Sequence, residues 1–158
     1  PYTINPGGPN HEELVSLIGI YDYFIDLYSH HFGKDEISIR KKIKKINYLI
    51  SDHEKKIANP FLEYISKRND IRLIGKKSIQ NKDRAPTISL VPKNQTSKYL
   101  SDFLISKKIA TRNDNFYAWR CLKALGIDVN DGLVRISMTH YNSEKDTIKL
   151  IDAFENFN

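Results

Sequence analysis

The stretch IATRNDNFYAWRCLKALGID (109–128), continued by VNDGLVRISMTHYN (129–142), decides how this chain folds. Its apolar start reads as a strand that ends at Arg112, and Asn113, Asp114 and Asn115 read as a polar corner. Phe116 and Tyr117 open a predicted short amphipathic helix that stops near Gly126. After the Asp131-Gly132 turn, Val134-Arg135-Ile136 reads as a second strand. Alternation along that strand sends Arg135 to the face opposite Val134 and Ile136. The unit therefore carries Arg112 on one side of the helix and Arg135 on the other. A guanidinium is a planar fork that grips a carboxylate or phosphate with two bonds. Two of them held on rigid strands make an anion clamp. The plainer reading is a pair of solvated arginines matched by surface acids.

Outward from this unit, composition bounds the rest. The chain has 158 residues, a formal net charge of +6 and 40% hydrophobic residues. That suits a folded domain able to bury a core and excludes a disordered chain. There is no apolar run long enough for a bilayer and no signal-peptide pattern. The lone Cys121 cannot form an internal disulfide and suits a reducing compartment, so a cytoplasmic location is expected. On its helix it is expected as a packed or half-exposed thiol. The lysine excess could attract polyanions, but a basic balance alone is not specific. The chain opens on Pro1 rather than Met, which gives the expectation of a fragment or processed piece.

In chain order, residues 2–10 form a Pro/Gly corner. Asn10 is placed to cap a following helix, with Glu13 in the capping-box position. Gly7 and Gly8 would let backbone amides approach an anion, although an ordinary turn has the same composition. From His11 to about His31, Leu14, Leu17, Ile18, Tyr21, Phe24, Ile25 and Tyr28 recur at helical spacing. So wide an apolar surface predicts burial or a subunit contact. A second helix is expected over about 37–67, basic from Arg40 to Lys45 and broken or bent at Asn59-Pro60. Strands are expected at 71–75 and 85–91, a helix over 95–107 with Tyr99, Leu100, Phe103 and Leu104 inward, and a last helix capped by Ser143 and Asp146. The order α-α-β-β-α-β-α-β-α predicts an α+β fold, with helices covering one side of a largely antiparallel sheet.

Several separated motifs carry a family resemblance. IATR-x-x-x-FYAWR-x-L-x-x-LGI, then G-x-VRISM-x-HYNS-x-x-D, resembles the C-terminal end of class V aminotransferases. Within them it is most similar to cysteine desulfurase-like proteins, whose late signatures read R-x-G-x-x-C-A and then (V/F)R-x-S-x-x-x-YNT-x-x-(E/D). The opening NPGGPNHE resembles their G-T-P-N corner, and Arg84-Ala85-Pro86-Thr87 their R-x-P-T stretch. The resemblance implies the C-terminal portion of a pyridoxal phosphate enzyme of fold type I. Residues 1–70 would be the connecting helices and 71–158 the small α+β domain.

The same resemblance implies roles. Arg135 would grip the substrate carboxylate, with Arg112 as a second arginine and Asn115 beside them. Gly7 and Gly8 would reach the pyridoxal phosphate of a neighbouring subunit, although Gly8 stands where the family has a hydroxyl-bearing threonine. The missing N-terminal large domain would supply the Schiff-base lysine, and the enzyme would be a homodimer. No lysine here lies in that lysine's context, so this chain alone is not expected to hold the cofactor. The desulfurase nucleophile position falls on Tyr117, and Cys121 lies four residues too late to replace it. Sulfur abstraction needs a thiolate, so a standard desulfurase mechanism is not expected. Tyr117 could donate a proton near the cofactor or be a half-buried aromatic at the start of the helix. His140 and Asn142 match the HYN turn, Asn142 being most simply a loop or capping residue. Two other classes stay open: a non-catalytic binding module that kept the fold, and a basic RNA-binding domain. No stacked-aromatic motif supports nucleic acid, and neither nucleic acid nor membrane is an expected partner.

Overall fold

The computed structural model describes residues 7–80 and 83–157. Asn5 and Pro6 of the opening corner, and part of the loop expected at 76–83, lie outside the described residues. The elements are α1 (His11–Phe32), α2 (Ile39–Ser66), β1 (Ile71–Ile74), β2 (Thr87–Pro92), α3 (Ser97–Ser106), β3 (Arg112–Asp114), α4 (Trp119–Ala124), β4 (Leu133–Ser137) and α5 (Glu144–Glu155). The order matches the expected one, and the fold is α+β. Two compact units divide within α2, Pro1–Ile50 and Ser51–Asn158.

The first unit holds α1 and the start of α2. Asn10 caps α1 by accepting the Glu13 amide at 3.1 Å, as its position predicts. Gly33 ends the helix with φ +77°, a conformation open to glycine without strain. Tyr28 is fully buried, and its hydroxyl donates to Asp35 at 2.7 Å while accepting from Lys45. Of the two expectations for the apolar surface of α1, burial within the chain does not hold for its N-terminal half. Leu14, Leu17, Ile18 and Tyr21 are all more than half exposed.

The second unit is a four-stranded sheet in the order β1-β2-β4-β3, antiparallel at every junction. One face is buried. Ile71, Ile88, Leu90, Val134 and Ile136 pack against Phe61 and Ile65 of α2, Leu100 and Leu104 of α3, and Leu150 and Phe154 of α5. Alternation holds in β2, where Ile88 and Leu90 point inward between Thr87 and Ser89. The other face is covered only in part, where Leu122 of α4 meets Ile127 and Leu133.

Three local expectations are corrected. α2 continues through Pro60 instead of breaking. Proline costs a helix about 3 kcal/mol, and four neighbours, Ile57, Ala58, Phe61 and Leu62, are fully buried and hold the helix in place. Asn59, just before Pro60, exchanges two bonds between its side chain and the Ile79 backbone, at 3.1 and 2.7 Å. Tyr99 is half-exposed rather than inward, its ring 6.0 Å from that of Phe157, while Leu100 and Leu104 are buried. Ile148 is likewise exposed, while the Ser143–Asp146 capping box of α5 forms as expected.

Buried polar groups are answered within the unit. Thr147 donates to the Ile57 carbonyl at 2.8 Å, and Asp131 accepts the Ser97 amide at 2.9 Å. Arg68 closes the C-terminal end, donating to the carbonyls of Phe154 and Phe157 and pairing with Asp70. That pairing holds the Asp70 carboxyl below its ordinary value, mainly through the hydrogen bond from Arg68 and against the opposing effect of burial. A carboxylate with a depressed folded value contributes stability above its unfolded value of about 3.9 and loses it as pH falls through the folded value. Asp70→Asn should therefore lower the melting temperature at pH 7. The gap from the wild type should narrow below about pH 4, read by thermal melts across pH; a pH-independent gap would remove the charge from the explanation.

Candidate functional site

The site is built by the pairing of β3 with β4. Arg112 lies directly opposite Arg135 in the ladder, Asn113 opposite Val134, and Asp114 opposite Leu133. Val134 is buried on the helix-covered face, so Arg112 and Arg135 share the other one. On β2 the register adds Ser89 beside Arg135, and on β1 Ile74 beside Ser89. A row Ile74–Ser89–Arg135–Arg112 thus crosses the sheet on its less-covered face. Like charges directly opposite one another destabilise a ladder. Arg112 has one carboxylate at 3.7 Å, that of Asp114. Among the described residues, Arg135 has none within 4.0 Å.

Phe116 takes the place of a counterion. Its ring lies beneath both guanidinium groups, 4.5 Å from Arg135 and 5.8 Å from Arg112. A ring face attracts a cation and leaves the in-plane N–H edges of the fork for other partners. Phe116 was expected to start a helix. Instead, both it and Tyr117 adopt left-handed backbone, φ +52° and +58°, and α4 begins only at Trp119. Two consecutive non-glycine residues in that region cost on the order of 1–3 kcal/mol each. The polar corner accordingly shifts: residues 112–114 are the edge strand, and the turn runs from Asn115 to Ala118.

Asn115 brackets this turn. Its side-chain oxygen accepts the Tyr117 amide at 3.0 Å, its carbonyl accepts the Ala118 amide at 2.9 Å, and its Nδ2 donates to the Val129 carbonyl at 3.4 Å. All three bonds stay within the protein, so Asn115 positions Phe116. Tyr117 is 95% exposed rather than half-buried. Cys121 is also exposed, on the outer side of α4. Asn142 is a turn residue, accepting the Thr139 amide at 2.8 Å, and its carbonyl meets Nε2 of His53 at 2.8 Å. His140 sits in the same turn. Nearby, burial raises the Glu54 carboxyl, with His140 and His53 opposing the shift.

Gly132 sets the spacing of the site. At φ +71°, a Cβ there would lie 2.3 Å from the Asp114 carbonyl oxygen and 2.9 Å from the Asn115 nitrogen. The sequence marks this glycine only as a turn residue; its contact with the Asn115 corner spans 17 positions and needs the sheet. The roles of Phe116 and Asn115 were hidden for the same reason. Gly7 and Gly8 belong to the first unit. Both are exposed, and a Cβ at either would meet nothing within 4 Å. Among the described residues no group of His, Cys, Asp or Glu could hold a metal ion, and no helix is long and apolar enough to cross a membrane.

The family model for class-V aminotransferases matches residues 40–150. The chain belongs to that family. This class-V chain is 29% identical over 108 residues to the aminotransferase-like protein FGM3 of Gibberella zeae, a match covering 67% of this chain and 27% of FGM3. Its fold resembles the apo cysteine desulfurase of Thermococcus onnurineus, with a TM-score of 0.62 at 23% identity over 75% of this chain and 28% of that one. It also resembles the NifS-like protein of Rickettsia africae, with a TM-score of 0.56 at 18% identity over 68% of this chain and 29% of that one. The chain thus spans under a third of the length of these relatives. The family is pyridoxal phosphate-dependent in general.

The close approach at Gly132 separates two glycines of like conformation. Gly126 has φ +67° but open space around its missing Cβ. Gly126→Ala should cost about 1–2 kcal/mol, the ordinary left-handed penalty. Gly132→Ala should cost clearly more and also disturb the amide resonances of Asn115 and Phe116. Equal losses in denaturant titrations would mean that the β3 corner is free to move away.

Proposed function

We propose that this region is the small domain of a pyridoxal phosphate enzyme acting on an amino acid, in which Arg135 and Arg112 bind the substrate carboxylate. The observation that carries the reading is the pair of cross-strand guanidinium groups held over Phe116, one of them without a carboxylate. An arrangement that costs stability in the ladder is offset when an anion enters between the forks. Pyridoxal phosphate would supply the electron sink. We place the cofactor's lysine and most of its phosphate contacts in a large domain outside this chain, with Gly7 and Gly8 reaching the pyridoxal phosphate of a neighbouring subunit.

Within this chain the roles are modest and definite. Arg135, mid-strand, provides the primary fork and Arg112 the second charge. Phe116 offers both forks a ring face, and Asn115 holds Phe116. Ser89 adds a hydroxyl next to Arg135 in the row. Tyr117 stands at the position that resembles the desulfurase nucleophile but carries a phenol. A phenol is neither a thiol nor a sulfur carrier. The enzyme would therefore act on its amino acid by a reaction other than sulfur abstraction through this position.

In the intact enzyme, Arg135→Lys should keep fold and cofactor absorbance while kcat/KM falls on the order of tenfold to a hundredfold, or about 1.4–2.7 kcal/mol, as a point charge replaces a two-point fork. Unchanged kinetics, or a collapsed melting temperature with normal kinetics, would make Arg135 structural. The intact enzyme should also release sulfide from free cysteine only slowly. Fast release that is blocked by alkylating Cys121 would overturn the assignment of Tyr117.

A further inference from the structure

Two helices of the second unit close in the same way on different residues. At the end of α4, Gly126 donates to the Lys123 carbonyl at 3.0 Å and Ile127 to the Leu122 carbonyl at 2.9 Å, with Gly126 at φ +67°. This paired closure turns on one left-handed residue, which is usually glycine. At the end of α3, Lys108 donates to the Ile105 carbonyl at 2.8 Å and Ile109 to the Leu104 carbonyl at 3.0 Å. The left-handed residue there is Lys108, at φ +59°. Glycine adopts that conformation freely, whereas a lysine is strained in it by its Cβ. A strained residue where glycine would serve the turn better points to a use for its side chain.

Lys108 stands at the rim of a cavity of about 360 Å³ between the end of β4, the start of α5 and the loop leading into β3. Ile136, Met138 and Leu150 form its floor, and all three are buried. They belong to the helix-covered face of the sheet, so the cavity lies on the side opposite the arginine row. Lys149 of α5 and the exposed Tyr141 complete the rim. Lys149 donates to the Lys108 carbonyl at 3.0 Å, a link between residues 41 positions apart. The strained lysine is therefore held at the rim from across the cavity.

The rim is positive. Asp146, one turn before Lys149, also lines the cavity, but its carboxylate accepts the Ser143 amide at 2.8 Å and the Ser143 hydroxyl at 3.0 Å. Two ammonium groups thus stand against one acid already engaged in a helix cap. An apolar floor under a few placed polar groups is the usual form of a small-molecule site. The floor suits a hydrocarbon body and the rim a single negative charge. A phosphate dianion would meet Asp146 and leave the floor uncovered.

We propose that this cavity binds a small organic monocarboxylate with an apolar body, its carboxylate held by Lys108 and Lys149 and its hydrocarbon lying on Ile136, Met138 and Leu150. The site is separate from the arginine pair and does not depend on the amino-acid reading of that pair.

Met138 is the chain's one methionine, so a ¹³C-methyl label on methionine reports on the cavity floor alone. Octanoate should shift that signal saturably. 1-Octanol, which has the body without the charge, should bind at least about tenfold more weakly. Acetate, which has the charge without the body, should leave the signal in place. Lys108→Gly keeps the carbonyl that Lys149 uses. It should raise the ligand-free melting midpoint by about 2–4 °C, as strain is relieved, and weaken octanoate binding at least about fivefold. Lys149→Met should weaken octanoate without that rise. Calorimetry on the intact enzyme should give the same order. Octanoate and octanol binding alike would overturn the proposal, as would a Lys108→Gly variant that is stabilised yet binds octanoate as before. Octanoate released by Arg135→Lys but not by Lys108→Gly would place it at the arginine pair and also overturn it. So would an intact enzyme that does not bind octanoate, since another part of the polypeptide would then fill the cavity.

Discussion

Two guanidinium groups facing each other across an antiparallel ladder repel, and the rest of the second unit is arranged around tolerating that repulsion. The strand pair cannot slip to relieve it. A shift of one residue would turn Val134 and Ile136 out of the core and bring Arg135 in. The hydrophobic face therefore fixes the register, and the register fixes Arg112 opposite Arg135. Phe116 answers the resulting charge with a ring face, and a ring needs no ionised partner that would compete for the forks. An acid in its place would satisfy the arginines permanently and leave nothing for a ligand to do.

Holding Phe116 there has its own cost. Two residues in the left-handed region are strained together, and the strain is met by Asn115 from one side and by Gly132 from the other. Asn115 supplies a side-chain acceptor where the backbone cannot form a regular turn. Gly132 supplies the missing Cβ that lets β4 start against the Asp114 carbonyl. Neither contributes to the apolar core, so both act locally, on the aim of one aromatic ring. Strain of this kind persists only where surrounding packing overrides it. Here the packing is the small cluster of Leu122, Ile127 and Leu133.

What the sequence revealed follows from the range of the interactions. Period-two alternation in β2 and β4 is local, and it predicted the faces of those strands correctly. Caps at Asn10 and at Ser143 with Asp146 are also local and formed as read. The site was legible only in its charges. Arg112 and Arg135 stand out by residue type and by family resemblance, but their juxtaposition depends on a register that no local rule supplies. The Phe116-Tyr117 corner misled because two aromatics before an apolar run look like the start of a helix, whereas both adopt left-handed backbone and α4 starts only at Trp119. Proline at position 60 misled in the opposite direction, since burial of its neighbours outweighs the local penalty.

The two units also differ in how their exposed side chains arise. In the second unit the arginine face is polar, and its exposure needs no cover; solvent or an anion suffices. In the first unit the exposed surface is apolar, and water is a poor partner for it. Leu14, Leu17, Ile18 and Tyr21 gain nothing from their own hairpin, because the C-terminal half of α1 alone reaches the Tyr28 cluster. A helix of 22 residues that is fastened at one end by Tyr28, Asp35 and Lys45 keeps its free half presented to whatever covers it. The fastening is polar and specific while the free half is apolar and broad. That division gives the helix a fixed root and a surface whose affinity is set by its partner.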